Sequence, residues 1–210
     1  MTARWYFDFV SPFAYLQLPK LREWRCSRQI EPVPVVLGAL LAHHGTLGPA
    51  EIPGRREFTY RFVQWQAERD GIALRFPPAH PFNSLAALRL CLAAGNSWDA
   101  VELIFDRVWR DGNACTDAGH LAPLGKALGI SDVAAAIATA EVKSALRRNS
   151  DAAIAAGVFG VPTLQTGSEL FWGNDASPMV DQWLADPDRF AGREYRRVAA
   201  LPIGVTRRPS

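Results

Sequence analysis

The sequence predicts an α/β protein in which a small sheet is split by a large all-helical insertion, and three observations carry that prediction. Residues 1–37 read as strand, helix and strand; a long stretch of purely helical periodicity follows; two short strand runs and a last helix then close the pattern. Neither end alone holds enough strands for a stable sheet, so the two ends are expected to share one. The expected organisation is therefore one unit. Residues 1–37 and 157–190 form its sheet-bearing part, 38–156 the helical insertion and 191–210 a C-terminal tail.

The first strand is expected over residues 5–10, Trp5-Tyr6-Phe7-Asp8-Phe9-Val10, an apolar run that breaks at Ser11-Pro12. A helix follows to about Ser27, with Tyr15, Leu16, Leu18, Leu21 and Trp24 at helical spacing and Pro19 placed to kink it. The β-branched run 32–37 reads as a second strand, able to lie parallel to the first through a βαβ crossover. Turns around a short helical piece fill 38–53, and 56–70 has helical composition with Phe58, Phe62 and Trp65. Residues 75–81, with three prolines, form an extended connector.

Asn83 or Ser84 caps a helix over 85–92 that ends by Gly95, and 99–110 carries a further apolar face through Val101, Ile104, Phe105, Val108 and Trp109. Helices are expected at 118–128, 133–148 and 151–156. The runs 163–166 and 169–172 are strands joined by a tight Gly167-Ser168 hairpin, and a last helix spans 177–184.

Composition excludes several classes of function. The chain has 210 residues, 49% hydrophobic and 21% charged, enough for a sizeable core. Its 23 basic and 21 acidic side chains leave a net charge of +2, without the basic excess of a general nucleic-acid binder. Arg193, Arg196, Arg197, Arg207 and Arg208 gather near the C-terminus, where they read as a solvated tail. No run of apolar residues reaches membrane-spanning length, and no secretory signal pattern opens the chain. Cys26, Cys91 and Cys115 are an odd, widely spaced set, so a disulfide framework is not expected. His43, His44, His80 and His120 lack the spacing of paired metal ligands. A reducing cytoplasm and no metal are the expectations.

Two segments carry chemistry. Ser11 stands where the first turn of a helix leaves N–H groups unpaired and concentrates partial positive charge, both of which favour an anion. It also reads as an ordinary N-cap with proline at the first helical position, and the residue types alone leave both roles open. In Gly157-Val158-Phe159-Gly160-Val161-Pro162-Thr163 a proline enters a strand. A cis bond before Pro162 would turn the Val161 backbone outward, ready to pair with an extended peptide; a trans proline at a strand edge is the plainer alternative.

Three ordered motifs then resemble one family. They are Phe7-Asp8-Phe9-Val10-Ser11-Pro12-Phe13-Ala14-Tyr15-Leu16, the 157–163 segment, and Leu170-Phe171-Trp172-Gly173-Asn174-Asp175. With the intervening insertion, including residues 109–117, the chain resembles the 2-hydroxychromene-2-carboxylate isomerase family, related to kappa-class glutathione transferases and to the DsbA branch of the thioredoxin fold. The resemblance implies a thioredoxin-like fold (βαβ…ββα) with a helical insertion. It implies that Ser11 replaces the nucleophilic cysteine of redox relatives and hydrogen-bonds the sulfur of bound glutathione, whose thiolate the helix N-terminus favours. With a hydroxyl at 11 and Ala14 where a second redox cysteine would stand, dithiol chemistry is excluded at this position.

The same resemblance implies that Val161, ahead of a cis Pro162, pairs with the cysteinyl part of glutathione, and that Asn174 and Asp175 meet its γ-glutamyl end. The implied substrate is a small aromatic-degradation intermediate such as 2-hydroxychromene-2-carboxylate, interconverting with trans-o-hydroxybenzylidenepyruvate, and relatives of this kind are often homodimers. Ala176 stands where many relatives have arginine, and Ile52-Pro53-Gly54-Arg55-Arg56 where they carry asparagine and lysine; Arg55 or Arg56 is a candidate substitute. Two other readings stay open: a kappa-type transferase conjugating electrophiles, and a non-catalytic module binding a peptide along the proline edge. Asn83 matches a recurrent family pattern but also suits a cap. Phe13, Tyr15 and Trp172 suit either an aromatic pocket or the core.

Overall fold

The computed structural model describes residues 2–205, so Arg207 and Arg208 lie outside the described residues. Strand β1 (Ala3–Phe7) is followed by α1 (Pro12–Arg25) and β2 (Ile30–Pro34). The helical stretch comprises α2 (Leu37–His43), α3 (Arg55–Arg69), α4 (Leu85–Ala93), α5 (Trp98–Phe105), α6 (Ala118–Ala127), α7 (Val133–Ala138) and α8 (Ala140–Ala155). Strands β3 (Thr163–Thr166) and β4 (Glu169–Trp172), helix α9 (Ser177–Ala185) and helix α10 (Arg193–Ala199) complete it. The four strands form one sheet in the order β2-β1-β3-β4, with β1 parallel to β2 and antiparallel to β3. The arrangement is thioredoxin-like, with βαβ and ββα segments flanking the helical insertion and meeting in one sheet.

Alternation along β1 divides the core between the two faces of the sheet. Trp5 and Phe7 point to the larger cluster, with α1, α4 and α5, while Tyr6 joins Val33, Val35, Leu40, Ala153 and Val158 on the other face. The larger cluster is built on aromatic contacts: Trp5 stacks on Phe7 at 4.7 Å, and Phe9 tilts against Phe105 at 4.7 Å. Each of these rings is fully buried, so the insertion shares the core of the sheet.

Three expected boundaries move, each because a side chain captures a backbone group. β1 ends at Phe7 because the Asp8 carboxylate accepts from the Val10 N–H at 3.1 Å while the Asp8 carbonyl accepts from Ser11 N–H at 3.0 Å, folding Phe9 and Val10 into a turn. β2 begins earlier, at Ile30, and ends at Pro34. Val36 then caps α2, its N–H donating to Ser150 Oγ at 3.1 Å and the Leu37 N–H donating to Asp8 Oδ2 at 2.9 Å. The expected break near Asn149-Ser150 is absent: the Ser150 hydroxyl accepts from the distant Val36 N–H and donates to the Leu146 carbonyl at 3.0 Å, so it does not cap a new helix. The break lies instead at Thr139, which is extended and accepts from the Val142 N–H at 3.3 Å.

Elsewhere, α1 runs through Pro19 without interruption. Asn83 accepts from the Leu85 N–H at 3.0 Å, so asparagine serves the start of α4 while Ser84 makes no cap bond. The α5 pattern continues past Phe105 as a wider π-helical turn over Asp106–Arg110. The hairpin strands lie where expected. The C-terminal arginines 193, 196 and 197 lie on α10, none of whose residues is buried.

Candidate active site

The register of β1 against β3 pairs Tyr6 with Thr163, so the chain leaving β1 and the chain entering β3 meet at the same end of the sheet. That end therefore holds both the Asp8–Ser11 turn and the Gly160–Pro162 turn. The Val161–Pro162 peptide bond is cis, as is His80–Pro81. The Pro162 carbonyl accepts from the Gly173 N–H at 2.8 Å, which brings the exit of β4 beside it. Asn174 and Asp175 follow in a 3₁₀ turn, Asn174–Ala176, that leads directly into α9. The structure thus gathers Ser11, Val161, Pro162, Asn174 and Asp175 at one end of the sheet.

Ser11 is the N-cap of α1, buried to 5% exposure, with φ −89° and ψ 113°. Its Oγ accepts from the Ala14 N–H at 3.3 Å. Pro12 has no N–H, and the Tyr15 N–H reaches the Ser11 carbonyl at 3.4 Å. The Phe13 N–H is left without an acceptor among the described residues. The Val161 peptide groups and the N–H groups of Asn174 and Asp175 are likewise unpartnered among the described residues. An end of the sheet with this many unpaired amides is suited to a ligand rich in carboxylate and peptide oxygens.

Gln17 ties the two halves of this region together. Its Oε1 accepts from the Trp5 indole at 2.8 Å, while its Nε2 donates to the Gly173 carbonyl at 3.2 Å and to Ser177 Oγ at 3.3 Å. A glutamine among the apolar positions of α1 is the sequence signal for this role. Asp8 and His80 also shape the site, and no local pattern marks either of them. Asp8 is an acid inside an apolar run, and it is 1% exposed. Burial pushes its carboxyl above the ordinary range, against the opposing pull of Ser84 and of the Leu37 and Val10 amides.

The aromatic candidates separate clearly. Tyr15 is core: it is buried, donates to the Ala73 carbonyl at 2.7 Å, and has its phenol pushed up to about 12, by burial first and then by the charge of Asp106. Phe13 is half-buried and faces Phe62 of α3 at 6.4 Å. Trp172 is 51% exposed, tilts against the exposed Phe159 at 5.0 Å and covers Gly160, where a Cβ would come within 2.6 Å of its indole nitrogen. Of the two insertion arginines, Arg56 donates to the His80 carbonyl at 3.2 Å.

Among the described residues no group of histidine, cysteine and acidic side chains is arranged to hold a metal ion, and no helix is long and apolar enough to cross a membrane. The cysteines are unpaired: Cys26 is exposed, Cys91 and Cys115 are buried. Burial pushes both buried thiols up, Cys115 to about 11. A thiol reagent is therefore expected to modify Cys26 alone in the native protein and all three cysteines after denaturation, as read by mass spectrometry. Rapid native modification of Cys91 would contradict the burial.

The sheet order β2-β1-β3-β4, with β1 parallel to β2 and antiparallel to β3, is that of a thioredoxin fold. Residues 2–185 match the DSBA-like thioredoxin domain, and the chain belongs to that family. Its relatives include the 2-hydroxychromene-2-carboxylate isomerase of Pseudomonas sp. (strain C18), 30% identical over 84% of this chain and 86% of that protein. The protein of the same name from Sphingobium xenophagum is 26% identical over 88% of this chain and 98% of its own length. Glutathione S-transferase kappa 2 of Caenorhabditis elegans is 24% identical over 92% of this chain and 96% of that protein. A solved 2-hydroxychromene-2-carboxylate isomerase superposes with a TM-score of 0.77 at 25% identity, covering 97% of this chain and all of the other.

Proposed function

We propose that this protein is a glutathione-dependent isomerase of the 2-hydroxychromene-2-carboxylate type, acting on a small unsaturated aromatic intermediate. The observation that carries this reading is the serine cap of α1, with the unpaired Phe13 amide beside it, at the sheet end that also holds the open Val161 peptide. The names of the relatives support it. Bound glutathione supplies a thiol that adds reversibly to an unsaturated carbonyl compound, so that the former double bond can rotate before elimination.

Ser11 donates its hydroxyl proton to the sulfur, and the positive end of α1 favours the thiolate over the thiol. The hydroxyl lone pair continues to accept from Ala14, so capping and sulfur binding use different parts of one group. Val161 offers its N–H and C=O to the cysteinyl backbone in the manner of an added strand. The Asn174 and Asp175 amides donate to the γ-glutamyl carboxylate, and the exposed Asp175 carboxylate accepts from its ammonium. Dithiol exchange has no second sulfur at this turn, because Ala14 occupies the position.

Calorimetric titration with glutathione is expected to saturate. Interconversion of 2-hydroxychromene-2-carboxylate and trans-o-hydroxybenzylidenepyruvate is expected to require glutathione without consuming it. Conjugation of a generic electrophile without isomerisation would replace this reading with that of a transferase, which the kappa relative favours. Binding of an extended peptide without any binding of glutathione would replace both.

A further inference from the structure

The turn that aims Ser11 is held by side chains from outside the sheet. The Trp109 indole donates to the Phe9 carbonyl at 2.8 Å, and His80 Nε2 lies 2.8 Å from the carbonyl of Val10, the peptide group immediately before Ser11. In a continuing strand those carbonyls would be bonded by a neighbouring backbone; here two ring N–H groups of the helical insertion take that place. We propose that His80 is a positioning residue for Ser11: by holding the Val10 carbonyl it fixes the direction of the Ser11 hydroxyl and of the amides that follow. As a role in thiolate binding, this rests on the function proposed above.

The surroundings of His80 are built for that task. Its ring lies against Trp109 at 5.4 Å and Phe76 at 6.1 Å, so aromatic packing on two sides restricts the imidazole plane. The Val10 carbonyl can only accept, so Nε2 carries a proton. Nδ1 lies 2.7 Å from the Tyr60 hydroxyl, which also lies 2.7 Å from the His80 carbonyl.

That pair of contacts lets the hold persist in both charge states of the ring. With a neutral imidazole, Tyr60 donates to Nδ1. With an imidazolium, Nδ1–H donates to the Tyr60 oxygen and the hydroxyl proton turns to the His80 carbonyl. In both states Nε2–H continues to donate to Val10. The other charged group facing this cluster is Arg56 of α3, which donates to the His80 carbonyl and sits over the Tyr60 ring at 5.4 Å. Burial first, against the opposing pull of the Val10 bond and with the added charge of Arg56, keeps the imidazole below its ordinary range, so the neutral arrangement is the resting one.

The test compares His80→Leu, which deletes the donor, with His80→Gln, whose amide can still donate to Val10, and with Tyr60→Phe, which releases Nδ1. In the ligand-free protein, exchange of the Ser11 and Ala14 amides is expected to speed up about tenfold in His80→Leu, the equivalent of one hydrogen bond. Exchange in His80→Gln stays within about twofold of wild type, and Tyr60→Phe falls between the two. With glutathione added, the thiolate absorbance of the bound thiol is expected to titrate at higher pH in His80→Leu and to return toward the wild-type position in His80→Gln.

Unchanged Ser11 and Ala14 exchange in His80→Leu overturns the proposal, as does faster exchange with an unshifted thiol. If His80→Leu does not fold, unchanged exchange in Tyr60→Phe overturns it equally. Failure of the wild-type protein to bind glutathione removes the function proposed above, and the exchange rates alone then decide whether His80 holds Ser11.

Discussion

Replacing Ser11 by alanine is expected to lower kcat for isomerisation about a hundredfold, the usual cost of deleting one donor aimed at an anionic centre. The same substitution removes the acceptor for the Ala14 amide and costs about 1 kcal/mol as a lost N-cap. These two losses separate experimentally. The cap loss appears as a lower urea midpoint whether or not glutathione is present. The loss at the sulfur appears as a rise in the pKa of the bound thiol, which moves the acidic limb of kcat/KM to higher pH because more alkaline conditions are then needed to form the thiolate. An alanine variant with reduced stability but an unshifted thiol would leave Ser11 as a cap and nothing more.

The second large effect is expected at Asp8. Its carboxylate holds the Val10 amide of the Ser11 turn and the Leu37 amide that starts α2. Asp8→Ala leaves these donors buried without a partner and is expected to cost about 3 kcal/mol or more in urea melts, whereas Asp8→Asn keeps one acceptor oxygen and costs less. The pH dependence has a definite sign. Because burial raises the folded-state carboxyl above its unfolded value, the folded protein retains this proton more readily than the unfolded chain. The contribution of Asp8 to stability is therefore fully present below the ordinary carboxylate pKa and diminishes as pH rises through the folded value. Asparagine does not titrate, so the stability gap between wild type and Asp8→Asn should narrow from acid to neutral pH. A gap that widens instead would show that the hydrogen bonds to the carboxylate outweigh burial.

Both expectations concern one short turn, part of which is local in sequence and part of which is not. Ser11 was visible because a hydroxyl before a proline at the end of an apolar run has few local explanations. Asp8 was quoted within a motif, yet residue type alone gives no account of why an acid belongs in a buried strand. Its reason is the two amides it satisfies, one of which lies 29 residues away. The strand ends at Phe7 for the same reason, so the expected run to Val10 was too long by the residues that Asp8 folds back.

Periodicity and turn chemistry performed well wherever the deciding interactions were local. The hairpin 163–166 and 169–172, the start of α1 and the run of α3 depend on neighbours within a few residues. They performed poorly where a distant partner decided the outcome. Val35 and Val36 have strand propensity, but Asp8 and Ser150 take up the Leu37 and Val36 amides and begin a helix. Ser150 looks like a cap by type; buried at 3% exposure, it bonds back into its own helix and reaches across to Val36.

By itself the sequence determined the fold class, the pairing of the two chain ends in one sheet, and the family in which the motifs around Ser11, Pro162 and Asn174-Asp175 recur in order. These are properties of residue type and spacing over short windows, where hydrophobic period, proline and hydroxyl groups restrict the backbone directly. Only the tertiary structure decided what holds Ser11 in place. His80 and Trp109 bond to the turn before it from 70 and 100 residues away in sequence, and Gln17 reaches 156 residues to Gly173. No local pattern marks such contacts, because a buried carbonyl can be satisfied by any donor that the packing of the helices brings within reach.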